Sequence, residues 1–377
     1  MNEKGITESE HISFQGDSAV DIVQAMLERA AAIRASDIHV DPSPADTRVR
    51  MRIDGELGDI GSISARIHEE VIARLKILSG ARTDLHAIPQ DGRFRAELGD
   101  RSFNVRISFM PTYRGENAVL RLLPASGFGG ESFAALGFSP DHARALQSAL
   151  EAQNGLILVT GPTGSGKTTT LRVCLSLVAD KPISVMTLED PVEYEVPGVR
   201  HVHIRESYGV SFAAGLRSAL RQDPDVIMVG EIRDAETART AVNTALTGHL
   251  VLSTLHTTSA LEAILRLSQM GVEGFMAAAT LRLIVSQRLV HTVCQSCHGA
   301  AQGCAACRGS GFAGRSVIAE TLEMDDGLRD LILRHEPLHR LAEYAVARGF
   351  RPISEDAAEK VEWGVTTRAK VACALDA

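Results

Sequence analysis

The 377-residue chain has no apolar run approaching the roughly 20 residues a membrane-spanning helix needs. It has no excess of positive charge, since 39 Lys and Arg stand against 47 Asp and Glu for a net charge of −8. It also lacks a basic stripe interleaved with aromatics, and both absences argue against a nucleic-acid partner. The N-terminal "MNEKGITESEHISFQGD" is polar and has no apolar core, which excludes a secretory signal in this stretch. These absences lead to the expectation of a cytoplasmic protein that meets a membrane only through a partner. No internal repeat or low-complexity tract is present. Cysteines are few, six in all. Cys294, Cys297, Cys304 and Cys307 cluster, while Cys174 and Cys373 stand alone as inert thiols.

The chain is long enough for two or three domains, and its 45% hydrophobic content supplies a large core. Residues 18–34 show helical spacing, with Ser18 or Asp21 as cap, and 68–80 form a second amphipathic helix stopped by glycine. The alternating runs 48–54 and 101–110 read as half-buried strands. Residues 1–123 thus form an α+β domain. Residues 124–133, "PASGFGGESF", form a linker. From 134 to 377 short apolar runs alternate with turns and helices, at 155–161, 182–190, 225–231 and 249–256. That alternation predicts an α/β domain with a parallel sheet covered on both faces. It includes the cysteine module, 291–315, and C-terminal helices over 325–377.

"GPTGSGKTTT" (161–170) satisfies the phosphate-loop pattern G-x-x-x-x-G-K-[ST] and lies between an apolar strand and a helix. Gly161, Pro162, Thr163, Gly164, Ser165 and Gly166 would turn backbone N–H groups toward phosphate, reinforced by the helix N-terminus and Thr169. Lys167 would reach the β- and γ-phosphates of ATP, and Thr168 would ligate Mg²⁺. The second acidic motif departs from the common form. In "QDPDVIMVGEIRD" (222–234) the apolar run closes with Gly230, and the acid, Glu231, comes one residue late. Glu189 ends the strand before it. Ligands gather at the carboxyl ends of parallel strands, so Glu189 and Glu231 are expected to converge near the γ-phosphate. One would support Mg²⁺ and the other orient the attacking water. His256 ends the next strand, where it either senses the γ-phosphate or makes a structural hydrogen bond; His249 marks a turn.

The cysteine spacing, two C-x2-C pairs six residues apart, favours tetrahedral Zn²⁺ in a closed structural site over an iron–sulfur cluster or free thiols. His298 is read as a bystander.

In this order, "SDIHVDP" (36–42), "RMRIDGEL" (50–57), "IPQDGRF" (88–94), "GENAVLRLL" (115–123), the phosphate loop, "TLEDPVEYEVPG" (187–198), the run 215–257, "QRLV" (287–290) and the cysteines resemble the ATPases of type II secretion and type IV pilus assembly. In that family the second acidic motif normally ends in Gly-Glu. The resemblance implies a PAS-like first domain, a RecA-like P-loop ATPase domain and a homohexameric ring working on an inner-membrane platform protein. It implies that Glu231 is the catalytic glutamate, Glu189 a second acid and His256 a further site residue. It places Arg217 and Arg221 near phosphate, with Arg106 and Arg121 closing onto nucleotide. The tetracysteine module is the mark that separates assembly and secretion ATPases from retraction ATPases. Three departures stand out. Only about 17 residues precede the first predicted helix, the loop between the cysteine pairs is short, and His291 stands where family members often carry arginine. The first and third keep open a nucleotide-gated docking scaffold with little turnover; a nucleic-acid translocating ring is a further alternative, since RecA-like rings translocate DNA, and the acidic net charge argues against it.

Overall fold

The computed structural model describes residues 12–14, 18–124, 132–205 and 209–376, so most of the 124–133 linker lies outside the described residues. The chain divides into two compact units, 1–129 with 294–314, and 130–293 with 315–377.

Unit 1 contains β1 (Ile12–Ser13), α1 (Ala19–Ala32), β2 (Asp37–Pro42), β3 (Asp46–Ile53), β4 (Glu56–Ser64), α2 (His68–Ser79), β5 (Gln90–Leu98), β6 (Arg101–Thr112) and β7 (Gly115–Pro124). The strands form one sheet in the order β1-β4-β3-β2-β7-β6-β5, antiparallel except where β1 runs parallel to β4. Alternation explains its two faces. On β3, Val49, Met51 and Ile53 are buried while Arg48, Arg50 and Arg52 point away. The apolar face packs with Ile22, Val23, Met26 and Leu27 of α1 and Val71, Ile72 and Leu75 of α2. Ser18 caps α1, its hydroxyl accepting from the Asp21 N–H at 3.3 Å. Gly80, at φ 71°, ends α2 in a left-handed turn that a side chain would strain.

The cysteine module, which sequence places with the ATPase domain, belongs to unit 1. Two hydrogen bonds between side chain and backbone tie it there. The Gly314 N–H donates to the Asp54 carboxylate at 2.9 Å, and the Arg308 guanidinium donates to the Ile33 carbonyl at 3.3 Å.

Unit 2 runs α3 (Phe133–Leu136), α4 (Pro140–Ala149), β8 (Gly155–Thr160), α5 (Lys167–Ala179), β9 (Val185–Glu189), β10 (Val199–His203), α6 (Phe212–Ala219), β11 (Val226–Val229), α7 (Ala235–Leu246), β12 (Leu250–Leu255), α8 (Ala260–Gln269), α9 (Gly274–Thr280), β13 (Leu281–Val293), β14 (Phe312–Glu323), α10 (Asp326–Leu333), α11 (Leu338–Ala347), α12 (Ile353–Glu362) and α13 (Arg368–Leu375). The sheet order is β10-β9-β11-β12-β8-β13-β14, with β8 to β13 all joined in parallel. Every residue of β8, β11 and β12 is buried. One apolar cluster takes α7 and α8 against Leu156, Leu158, Ile227 and Val251; the other takes α5 against Ile157, Val159, Met228 and Leu252. This is the α/β sheet with both faces covered that the apolar runs predict. One topological fact matters for the site: β12 lies between the phosphate-loop strand β8 and the acidic strand β11.

Candidate active site

The phosphate loop leaves β8 through three glycines at positive φ, Gly161 at 143°, Gly164 at 80° and Gly166 at 89°. A Cβ on Gly161 would lie 2.5 Å from the Gln287 carbonyl oxygen, so bulk is barred there as well as strained. Gly166 precedes α5, whose first N–H groups open onto the loop. Thr168 is exposed in that first turn, where its hydroxyl is free to meet a cation. The Lys167 ammonium donates to the carbonyls of Gly161 at 2.8 Å and Pro162 at 2.9 Å. Burial pulls its pKa down to about 8, the Glu231 carboxylate pulls the other way, and the Arg288 charge adds to the depression.

Glu231 is held at the mouth of β11 by a tight backbone frame. The Gly230 N–H donates to the Leu188 carbonyl at 2.8 Å and the Ile232 N–H to the Thr254 carbonyl at 3.0 Å. A Cβ at Gly230 would approach the Leu188 oxygen to 3.2 Å, tighter than usual. The close strand contact takes a glycine, and the acid follows it. The Glu231 carboxylate pairs with Arg233 at 2.5 Å and lies 3.6 Å from His256 Nε2. Burial, then the charge of Lys167, lowers the pKa of His256, so the imidazole is neutral at pH 7. Lys167, Glu231 and His256 therefore form one electrostatic cluster at the carboxyl ends of β8, β11 and β12.

The two acids end neighbouring strands, since β9 pairs directly with β11 and Val229 stands opposite Leu188. Glu189 ends β9, three strands from β8, a lateral distance of about 14 Å. Its carboxylate accepts from the Thr187 hydroxyl at 2.6 Å and pairs with His201 Nδ1 on β10 at 2.8 Å. Arg217 pairs with Glu236 at 2.9 Å, and Arg221 donates to the Arg217 carbonyl at 2.9 Å. Both are exposed and engaged within their own surface.

In unit 1, strand register sets Arg106 directly opposite Arg121, and Arg93 directly opposite Arg106. Residues directly opposite one another share a face, so the three guanidiniums stand on one side of the sheet. Asp37, across from Arg121, accepts from it at 3.0 Å. Arg93 joins this row from the "QDGRF" stretch through strand register alone.

The four module thiols lie within 4.8 Å of one another, with Cys294–Cys304 and Cys297–Cys307 at 3.7 Å and Cys304–Cys307 at 3.8 Å. Zinc with bonds of about 2.3 Å to four thiolates needs sulfurs about 3.8 Å apart, so the residues present fit Zn²⁺. Burial opposes ionisation of Cys307, but N–H groups of Cys304 and Gly311, donating at 3.1 and 3.2 Å, bring it down to about 6.

Comparison with known proteins places these features. The profile of the family described as Type II/IV secretion system protein matches residues 15–373. The Type II secretion system protein HxcR of Pseudomonas aeruginosa is 40% identical over 93% of this chain and 76% of its own length. The type IV pilus assembly ATPase PilB of Thermus thermophilus is 39% identical over 96% of this chain, which spans 43% of that longer relative. Among solved structures, the ATPase DotB of Legionella pneumophila superposes with a TM-score of 0.74 at 25% identity, covering 96% of this chain and 98% of that one. The pilus retraction motor PilT with bound ADP does so with a TM-score of 0.68 at 27% identity, covering 92% and 95%. The chain belongs to the Type II/IV secretion system protein family, and its fold is that of the P-loop ATPases.

Proposed function

We propose that this chain hydrolyses ATP at the loop 161–168 and uses the energy to drive type II secretion or type IV pilus assembly. The observation that carries the reading is the cluster of Lys167, Glu231 and His256 at adjoining strand ends, within a family of secretion and pilus ATPases. The loop N–H groups and Lys167 bind the β- and γ-phosphates. Thr168 would hold Mg²⁺, which would supply neutralisation of phosphate charge. Glu231 orients a water for attack on the γ-phosphorus; the bond to the ADP oxygen breaks, and the water's proton leaves with phosphate. His256, neutral, donates a hydrogen bond toward the γ-phosphate. Glu189 organises the neighbouring strand end through His201. The Arg93–Arg106–Arg121 row offers a polyphosphate-binding face, and Arg217 and Arg221 a second set of phosphate-directed cations. Zn²⁺ in the cysteine module is structural.

No helix among the described residues is long and apolar enough to cross a membrane. A homohexamer working against a platform protein at the inner membrane, from the cytoplasm, is the setting that fits the relatives. Turnover per subunit measured against protein concentration, for wild type and Glu231→Gln, tests the reading. The expected result is a steep rise with concentration that the variant loses. Wild type that binds ATP yet turns over no faster than the variant at any concentration would overturn the motor in favour of a nucleotide-gated scaffold.

A further inference from the structure

Strand β13, not an acidic strand, is the second neighbour of the phosphate-loop strand β8. Its register sets Ser286 against Thr160, so Gln287 lies beside the first loop glycine. Successive strand residues face opposite sides. Leu283, Val285 and Gln287 face α5, while Ile284, Ser286 and Arg288 face α8.

On the α5 side, the fully buried Gln287 amide is used at both ends. Its N–H donates to the Ser165 carbonyl at 2.8 Å, and its oxygen accepts from the Thr170 hydroxyl at 2.8 Å. Ser165 and Thr170 bracket Gly166, Lys167 and Thr168, the residues that present N–H groups, ammonium and hydroxyl to phosphate. On the α8 side, Arg288 donates to the Thr258 carbonyl at 2.9 Å, and the Ser286 hydroxyl donates to the same oxygen at 3.2 Å. Glu320 of β14 accepts from the next turn, at the Ala260 N–H, at 2.7 Å. Thr258 stands two residues after His256, so this side fixes the loop that carries the imidazole.

We propose that Gln287 and Arg288 are positioning residues of the ATP site, Gln287 setting the shape of the phosphate loop and Arg288 the placement of the His256 loop. The inference rests on the ATPase reading for its chemistry, but its first arm reads ADP binding alone. The "QRLV" stretch thereby acquires a division of labour. One residue governs phosphate binding, and its neighbour governs the step after binding. A residue that served only to fill the core would alter stability and leave the folded fraction's nucleotide constants untouched.

The experiment compares wild type, Gln287→Glu, Gln287→Met, Arg288→Lys and Arg288→Met by ADP calorimetry, ATP steady-state kinetics and thermal melting. Gln287→Glu keeps the shape but turns an oxygen toward the Ser165 carbonyl; Gln287→Met removes both hydrogen bonds. Two hydrogen bonds of ordinary net strength correspond to about a tenfold to hundredfold loss. Both Gln287 variants should weaken ADP binding and raise KM by at least about tenfold. Arg288 variants should keep ADP affinity within about twofold and lose about tenfold in kcat, with Arg288→Lys losing less. ADP constants within twofold of wild type for both Gln287 variants overturn the first half, whatever the melting shift. Unchanged kcat in Arg288→Met overturns the second. If neither Gln287 variant folds, Thr170→Val decides, since it removes one of the two hydrogen bonds from the helix side: about tenfold weaker ADP binding supports the proposal, and wild-type binding overturns it. Wild type that binds ADP but never turns over would sink the motor reading, and the ADP arm would still stand.

Discussion

Lys76 in unit 1 and Lys167 in unit 2 are both buried, 0% and 9% exposed, and they are partnered in opposite ways. Lys76 meets a carboxylate, Glu116, at 2.7 Å, donates to the Leu85 carbonyl at 2.6 Å and lies over the Phe109 ring. Glu116 also takes His86 at 2.7 Å. Lys167 has only the carbonyls of its own loop. A third buried lysine, Lys360, follows the first pattern, paired with Asp356 at 2.7 Å. A lysine neutralised by its own protein is a brace. One hydrogen-bonded only by backbone carbonyls, with a carboxylate acting on it from a distance, keeps its donors ready for an anion from outside.

The largest effect that tests this contrast is on nucleotide binding. Lys167→Ala should weaken ATP binding by about a hundredfold or more, through loss of charge-assisted contacts. The melting point of the nucleotide-free protein should hold or rise, because a desolvated charge is gone. A melting point far below wild type would make Lys167 a brace like Lys76. Next, Lys76→Met should cost about 3–5 kcal/mol in urea unfolding, because it strands a buried carboxylate. Its ADP affinity should stay within twofold, and adding Glu116→Gln should recover part of the loss. A hundredfold loss of ADP affinity in Lys76→Met would erase the contrast.

Acidity sharpens the comparison further. With the folded pKa of Lys167 lowered to about 8 from 10.5, the unfolded chain binds the proton more tightly. The destabilisation is complete below about pH 8 and is relieved as pH rises from about 8 to 10.5. Phosphate binding needs the protonated form, so kcat/KM for ATP should fall as pH rises through about 8, and nucleotide should take up a proton on binding above that pH. A profile flat to pH 9.5 would show that the lysine does not set the profile. The smallest effect is expected at Arg217, whose exposed pair with Glu236 is worth less than about 1 kcal/mol in stability. Arg217→Ala should leave the unfolding midpoint in place. A tenfold loss of turnover with that midpoint unchanged would move Arg217 from the surface network to the nucleotide.

Legibility followed distance along the chain. The phosphate loop occupies eight consecutive positions, and its glycines announce their conformations directly. The Ser18 cap, the Gly80 stop and the four apolar strands of the parallel sheet are likewise written within a few residues. Glu231 could be read because the strand before it is short and wholly apolar. The partner of Glu189, His201, arrives on β10 after an irregular stretch, and only the sheet order shows that β11 and β12 stand between Glu189 and the phosphate-loop strand. Gln287 meets Thr170 across 117 positions, and no local pattern reports that meeting. Strand β5 escaped notice because its outward residues are charged and its inward ones include Gly92 and Ala96. The cysteine module revealed its chemistry through spacing, but its attachment to Asp54 and Ile33 lay hundreds of residues away in sequence.

The strand inserted between β8 and β11 acts as a ruler. Two strand spacings put Glu231 about 9.6 Å to the side of the loop that holds phosphate, beyond the reach of a direct ligand. On the reading proposed above, an acid at that remove would serve the incoming water more than the nucleotide, so that holding ATP and breaking it would fall to different residues.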